Sequence, residues 1–255
     1  MSRSRPGFYT TIEYIGPRPQ KPKRRNFFGG WVILVIAAGI GCWYGRQYIG
    51  MASAAQPSTE QAAMLSASLN ESASPADKLS AAALAHTLDH IVKDPSYYKI
   101  PYPNGDIAPG KGAAADVIIR CYRKLGIDLQ KEVHEDMAEH FRLYPQLWNS
   151  SAPDTNIDHR RIANLQRFFE RKGQTLPASR EVSDYHPGEI VVWSLANADT
   201  HIGIVVPGPG NNPGEPWVVH NLDSGVKWEP ALFEYKIQAH FRYPVQEQAA
   251  PKAQQ

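Results

Sequence analysis

The chain has 255 residues, 42% of them hydrophobic, and a formal net charge of +2 at pH 7. Residues 1–26 contain seven Lys and Arg residues against Glu13 alone, a balance of +6 that leaves −4 for the rest of the chain. The basic character therefore belongs to the first residues, and no basic face for nucleic acid is expected. The length suits one domain with appendages.

An uncharged apolar run covers residues 27–45 and has Trp31, Trp43 and Tyr44 near its ends. Nineteen residues of helix just cross a hydrocarbon core of about 30 Å. We expect a transmembrane helix at 27–46 after a basic cytoplasmic tail at 1–26, because basic residues stay inside. The chain would then be a single-pass protein of a bacterial inner membrane with a periplasmic C-terminal domain. A signal peptide cleaved after the small residues at 52–54 is the alternative, but the basic region before the run is long for one, which favours an anchor.

Helical patterns follow the apolar run. Residues 47–74 are rich in Ala, Ser, Gln and Glu and are expected to be a tether with at most a frayed helix. Ser74 followed by Pro75 is typical of a helix start, and this helix should stop before Pro95. The folded domain is expected to cover 75–245, with a polar tail at 246–255. Apolar residues at helical spacing predict three more helices, over 113–125, 129–145 and 157–173.

Short β-branched and aromatic runs dominate the second half of the domain. Gly, Pro and Asn separate them, which is typical of an antiparallel sheet. Strands are expected within 188–195, 201–207, 216–222 and 237–244. Because helices come first and strands follow, the sequence predicts an α+β fold in which N-terminal helices pack on an antiparallel sheet.

Two histidines lie at the edges of predicted strands. His201 begins "HIGIVV" and His220 ends "VVH". If these strands are antiparallel neighbours, the start of one lies beside the end of the next, and the imidazoles come close. The alternative is a pair of unrelated, partly buried histidines, which is common for this residue type.

The motifs "GAAADVIIRCYRKLGIDLQKEVHEDM", "NIDHRRIANLQRFF", "PGEIVVWSL", "HIGIVV" and "VVHNLDSG" occur in this order. Together they resemble the domain of unknown function 1287 family over about residues 80–243. The order of a loop-to-helix turn, a strand histidine and a polar group on the next strand also resembles the papain-like peptidoglycan peptidases of the NlpC type. The resemblance implies an NlpC/papain-like fold and an ancestral cysteine peptidase or amidase of the cell wall.

The resemblance also implies roles for individual residues. The family pattern "GVCTDVVIRAYR" aligns its cysteine, the nucleophile position, with Ala114, whereas Asp116 is kept. His201 corresponds to the base and His220 to the group that orients it. Polar residues implied near the substrate are Asp116, Asp158, His159, Arg160 and Arg161, with one arginine pairing a carboxylate of a peptide stem. The alternative is that Arg160 and Arg161 form a solvated face and Asp158 is a negative charge at the helix N-terminus.

Three functions remain open from the sequence. The domain could bind peptidoglycan peptide or an envelope protein partner without catalysis, because alanine cannot attack a carbonyl. It could be an active cysteine hydrolase whose residue 114 was mutated from cysteine, or a structural envelope protein. No cofactor is expected.

Two other residue patterns indicate neither a nucleophile nor a metal site. Cys121 lies two helical turns after Ala114, too far to replace its thiol, and is expected in the core. His134 and His140 are six residues apart, unlike the His-Glu-x-x-His spacing of a zinc helix, so no metal is expected.

Overall fold

The computed structural model describes residues 16–17, 33–41, 57–210, 217–222 and 225–243. The chain divides into two compact units, Met1–Ser53 and Ala54–Gln255. In the first unit, residues 33–41 are helical and exposed. Within the described ranges, no helix has both the length and the apolar character needed to cross a membrane. The rest of the predicted span at 27–46, almost all of the basic tail and the whole polar tail at 246–255 lie outside the described residues.

The second unit contains five α-helices within the described residues: α1 Thr59–Asn70, α2 Pro75–His86, α3 Ala114–Lys124, α4 Leu129–His140 and α5 Ile162–Lys172. As predicted, α2 begins after Ser74, whose side chain accepts a hydrogen bond from the Asp77 amide. It ends at His86, earlier than expected, and the following segment contains the short strand β1 (Val92–Lys93), which pairs in parallel with β2 (Lys111–Gly112). The chain is therefore already extended at β1, before it reaches Pro95, where the helix was expected to stop.

Helix α1 lies inside the stretch predicted as a tether. Ser58 caps it through a reciprocal capping box with Gln61. Ala62 packs in the main core, and the Ser66 hydroxyl donates to the Ala81 carbonyl of α2 at 2.8 Å. The segment is thus not merely a linker, because a small apolar face on an Ala-rich helix is enough to pack closely against another Ala-rich helix.

Six strands form one antiparallel sheet in the order β3-β8-β4-β5-β6-β7. Their bounds are β3 Gln174–Leu176, β4 Ile190–Ser194, β5 Thr200–Val206, β6 Trp217–Leu222, β7 Gly225–Glu229 and β8 Lys236–Arg242. Four of them fall where the apolar runs predicted strands, whereas β3 and β7 were not predicted. The α+β arrangement of helices with an antiparallel sheet is confirmed.

Buried side chains alternate along the central strands between two hydrophobic clusters. Ile202 and Ile204 of β5 belong to the larger cluster, together with Val117 and Ile118 of α3. Val205 belongs to the smaller cluster, whose other members include Val191, Trp193, Val218 and Leu232. The sheet therefore has a helix-covered face and a second face closed by the loop after β7, and both faces are buried.

Candidate functional site

His201, His220 and Glu229 form a chain of hydrogen bonds across three neighbouring strands. The His201 Nε2 lies 2.8 Å from the His220 Nδ1, and the His220 Nε2 lies 2.8 Å from the Glu229 Oε1. The strand register explains this contact, since His220 is opposite Gly203, two residues from His201 on the same face. We call these three residues the histidine relay.

The relay is shielded from solvent. His201 is 4% exposed and His220 2% exposed. The Trp193 indole stacks on His201 with ring centroids 5.8 Å apart. Gly203 makes room for this indole, because a Cβ there would lie 2.9 Å from the Trp193 ring. A glycine between the two histidines is thus required by the tryptophan that covers them.

A carboxylate bonded to an imidazole that is bonded to a second imidazole can hold a positive charge. When His201 takes up a proton, its Nε2–H donates to His220, and the Glu229 carboxylate compensates the charge at the far end. The arrangement is therefore suited to a general base whose orientation is fixed by its neighbours.

The predicted nucleophile position, Ala114, is the first residue of α3, and we call residues 112–115, around the start of this helix, the α3 turn. Ala113 at the helix N-cap has no side-chain acceptor, and instead the Asp116 carboxylate accepts from the Ala113 amide at 2.6 Å. Ala114 and Ala115 are buried. The Asn221 side-chain amide donates to the Gly112 carbonyl at 3.0 Å, which ties the turn to the residue after His220.

The two parts of the predicted site belong to different packing environments. Ala114 packs in the larger cluster with the helices. Ile202 also belongs to that cluster, and His201, the residue before it on β5, lies on the opposite face of the sheet. His201 shares that face with Trp193. Asn221 shows that the α3 turn and β6 meet directly, and the short approach of Ala114 to His201 stays a prediction.

Asp116 and Arg160, both predicted at the substrate, form a buried bidentate ion pair. The Arg160 Nε lies 2.7 Å from one Asp116 oxygen, and Nη2 lies 3.1 Å from the other. The remaining Arg160 donors bind the carbonyls of Ser96 at 2.6 Å and Asp94 at 3.2 Å. The pair therefore joins the first turn of α3 to the segment after β1, a bracing role that the sequence did not indicate.

Three further predicted substrate residues, Asp158, His159 and Arg161, lie around a 3₁₀ turn at Asp158–Arg160. Burial raises the pKa of Asp158, which accepts a short hydrogen bond from the Asp154 amide. Burial lowers the pKa of His159 to about 3, helped by the positive charge of Arg160. The Arg161 guanidinium lies 4.1 Å from the centre of the exposed Trp148 ring. Arg161 is the most accessible of the three.

Cys121 is fully buried, and burial raises the pKa of its thiol well above the usual range. This agrees with the prediction of a core residue and opposes a relocated nucleophile. His134 lies edge-on to Tyr102, whereas the His140 ring contacts the Asp136 carbonyl. In the described part of the chain, no group of three or more His, Cys, Asp or Glu side chains could hold a metal ion.

Glu229 is the relay member that sequence reasoning missed. It lies at the end of β7. This strand was not predicted, because the last of the family motifs, "VVHNLDSG", ends at its first residue. The signal was present, since "DSG" is typical of a hairpin turn and "VKWE" alternates after it. Gly225 has a φ of +95°, which glycine adopts readily. The hairpin then brings Glu229 back to His220.

Comparison with known proteins gives a family without an assigned function. Over 150 residues the chain is 46% identical to "Uncharacterized protein YijF" of Escherichia coli (strain K12), a match that covers 59% of this chain and 73% of that protein. Residues 80–243 match the family described as "Domain of unknown function (DUF1287)". This range contains α3, the Asp116–Arg160 pair and all three relay residues. The chain belongs to the DUF1287 family.

Proposed function

We propose that this domain binds cell-wall peptide on the scaffold of a cysteine peptidase or amidase whose nucleophile position holds Ala114. The supporting observation is the histidine relay, in which two buried histidines and Glu229 are linked by hydrogen bonds, with Asn221 joining the strand of His220 to the α3 turn. Buried imidazoles are costly unless hydrogen-bonded, and here each bonds the next. The relay has the form of a base and its orienting groups, and the family pattern aligns its cysteine with Ala114, whose methyl group cannot act as a thiolate. Binding without cleavage follows.

The proposed ligand is a peptidoglycan stem peptide. The alternative ligand is an envelope protein partner with a similar peptide segment. The N-terminal sequence supports a periplasmic location of the domain, where it could meet such a ligand. The basic residues at 1–26 and the apolar run at 27–45 are typical of an inner-membrane anchor. Arg161, next to Trp148, is a cation near the surface that could pair a stem-peptide carboxylate.

One observation favours an active hydrolase as the second candidate. The His201–His220 and His220–Glu229 hydrogen bonds are formed, and a cysteine at position 114 would supply the nucleophile of a Cys–His–His site. In that case the native residue 114 is cysteine. The thiolate would attack the carbonyl carbon, and His201 would pass the thiol proton to the leaving amine. The native codon for residue 114 separates the two candidates.

Muropeptides released from peptidoglycan by a muramidase test the proposal directly. We expect calorimetric titration of the full chain in detergent to show saturable binding, with muropeptide masses unchanged after incubation. His201→Ala should weaken the affinity about tenfold or more, a difference of about 1.4 kcal/mol. His186→Ala is the matched control, because His186 is exposed and outside the relay. Equal affinity of both variants, or no binding by the unmodified chain, would refute the proposal. Cleaved muropeptides would instead show a working hydrolase.

A further inference from the structure

The relay contains an acid that determines where both imidazoles carry their protons. A neutral imidazole has one N–H donor and one acceptor nitrogen, whereas an ionised carboxylate only accepts. The His220 Nε2, 2.8 Å from the Glu229 Oε1, must therefore be a donor. The His220 Nδ1 is then the acceptor, and the His201 Nε2, 2.8 Å away, must donate to it.

We propose that Glu229 is a positioning residue that holds the proton of both imidazoles on Nε2 and so makes Nδ1 the basic nitrogen of His201. Without Glu229, the hydrogen bond between the two rings could run in either direction, and His201 could present a donor instead of a base. That the basic nitrogen of His201 would act on a group in the α3 turn rests on the proposed function. The protonation pattern of the two rings does not depend on that function.

The position of Glu229 suits this role. Glu229 of β7 is paired with Val218 of β6. Val218 is two residues from His220, so Glu229 lies on the same face of the sheet as His220. Its side chain is 21% exposed, which leaves the carboxylate largely enclosed. A hydrogen bond to a charged group in such a setting is stronger than one between neutral groups.

The consequence for chemistry concerns one proton. With a thiol at position 114, the S–H bond would break and the proton would bind Nδ1 of His201, giving a thiolate and an imidazolium. The imidazolium keeps its Nε2–H bonded to His220, and the Glu229 carboxylate remains ionised to balance the new charge. No other group needs to gain or lose a proton.

Long-range ¹H–¹⁵N spectra of the full chain in detergent test the proposal, because they show which ring nitrogen carries the proton. Signals are assigned with His201→Gln and His220→Gln. We expect the proton of each neutral ring to be on Nε2. A His201 protonated on Nδ1, or a His220 protonated on both nitrogens, would overturn the assignment.

Removal of the carboxylate provides the second test. We expect Glu229→Leu to replace the single protonation pattern by a mixture in at least one ring. Glu229→Gln serves if the leucine variant does not fold, because the amide can donate as well as accept and no longer forces the pattern. Glu234→Leu, at an exposed position after β7, is the control. A single unchanged pattern in the Glu229 variant would refute the positioning role. Failure of muropeptide binding with the predicted protonation intact would refute only the proposed function.

Discussion

The histidine relay and the α3 turn are linked through Asn221, the residue after His220, and they differ in their side-chain chemistry. The relay carries three titratable side chains in a continuous chain of hydrogen bonds, whereas the turn carries three alanines at 113–115. Strand register builds the relay, so that it depends on many residues of β5, β6 and β7. The reactive atom of a cysteine site, by contrast, depends on one side chain. On the proposed function, the fold keeps the groups that would activate a nucleophile while the nucleophile itself is absent.

The turn keeps its shape without a reactive group because other residues hold it. The Asp116 carboxylate accepts from the Ala113 amide, and Arg160 joins Asp116 to the segment at 94–96. Neither contact involves the relay residues. The two regions should therefore respond differently to mutation, which gives ways to separate them.

The largest effect is expected at Arg160. Arg160→Leu leaves the Asp116 carboxylate buried without its partner, and loss of one member of such a pair costs about 3–5 kcal/mol of unfolding free energy. Urea unfolding followed by circular dichroism measures the loss. Arg167→Leu is the matched control, since Arg167 is half-exposed and pairs with Glu170 on the surface, where an ion pair is worth about 0–1 kcal/mol. Similar losses in the two variants would mean that Arg160 does not brace the turn.

At mildly acid pH, a smaller effect is expected from His159, the buried imidazole beside Arg160. Unlike the relay histidines, it has a buried Nδ1 with no hydrogen-bond partner in the described structure. Its pKa is about 3 in the folded protein against an ordinary value of 6.5. The unfolded chain therefore binds a proton first as the pH falls. The stability contributed by neutral His159 is complete above pH 6.5 and is lost between pH 6.5 and about 3.

The slope of this loss is about 1.4 kcal/mol per pH unit within that window. Urea unfolding at several pH values should show a shallower acid dependence for His159→Gln than for the unmodified chain. His90→Gln, at an exposed position, should keep the original dependence. Parallel curves for all three proteins would contradict the burial of an uncharged His159.

The sequence predicted the elements whose signals are local. The apolar runs predicted β4, β5, β6 and β8, and the edge positions of His201 and His220 predicted that the two rings could meet. Helix α1 was expected as a tether, because its Ala and Ser residues have little apolar contrast until α2 packs on them. Glu229 required the partner strand across a hairpin, which is not a local property.

The polar residues of the predicted substrate site show a second limit of sequence reasoning. Asp116 and Arg160 were expected to face a ligand. They instead pair with each other across 44 residues of the chain, and both are buried. Sequence alone indicates charge and helix position, while the tertiary contact decides whether a charge faces solvent or its opposite. Only Arg161 retains an accessible position among the three charged residues at 158, 160 and 161.

The central claim is that the α3 turn is an active-site turn without its nucleophile. The most direct measurement is the pH dependence of iodoacetamide alkylation of Ala114→Cys in full chain that also carries Cys42→Ser. Buried Cys121 supplies an unreactive thiol in every sample. The helix N-terminus and the His201 imidazole both favour a thiolate, so we expect a thiol pKa within about 3.5–7.5. Ser150→Cys, at an exposed position, should titrate near 8.5. Addition of His201→Ala should raise the pKa of the thiol at position 114. A thiol there that matches the exposed control, or that His201→Ala leaves unchanged, would contradict the account.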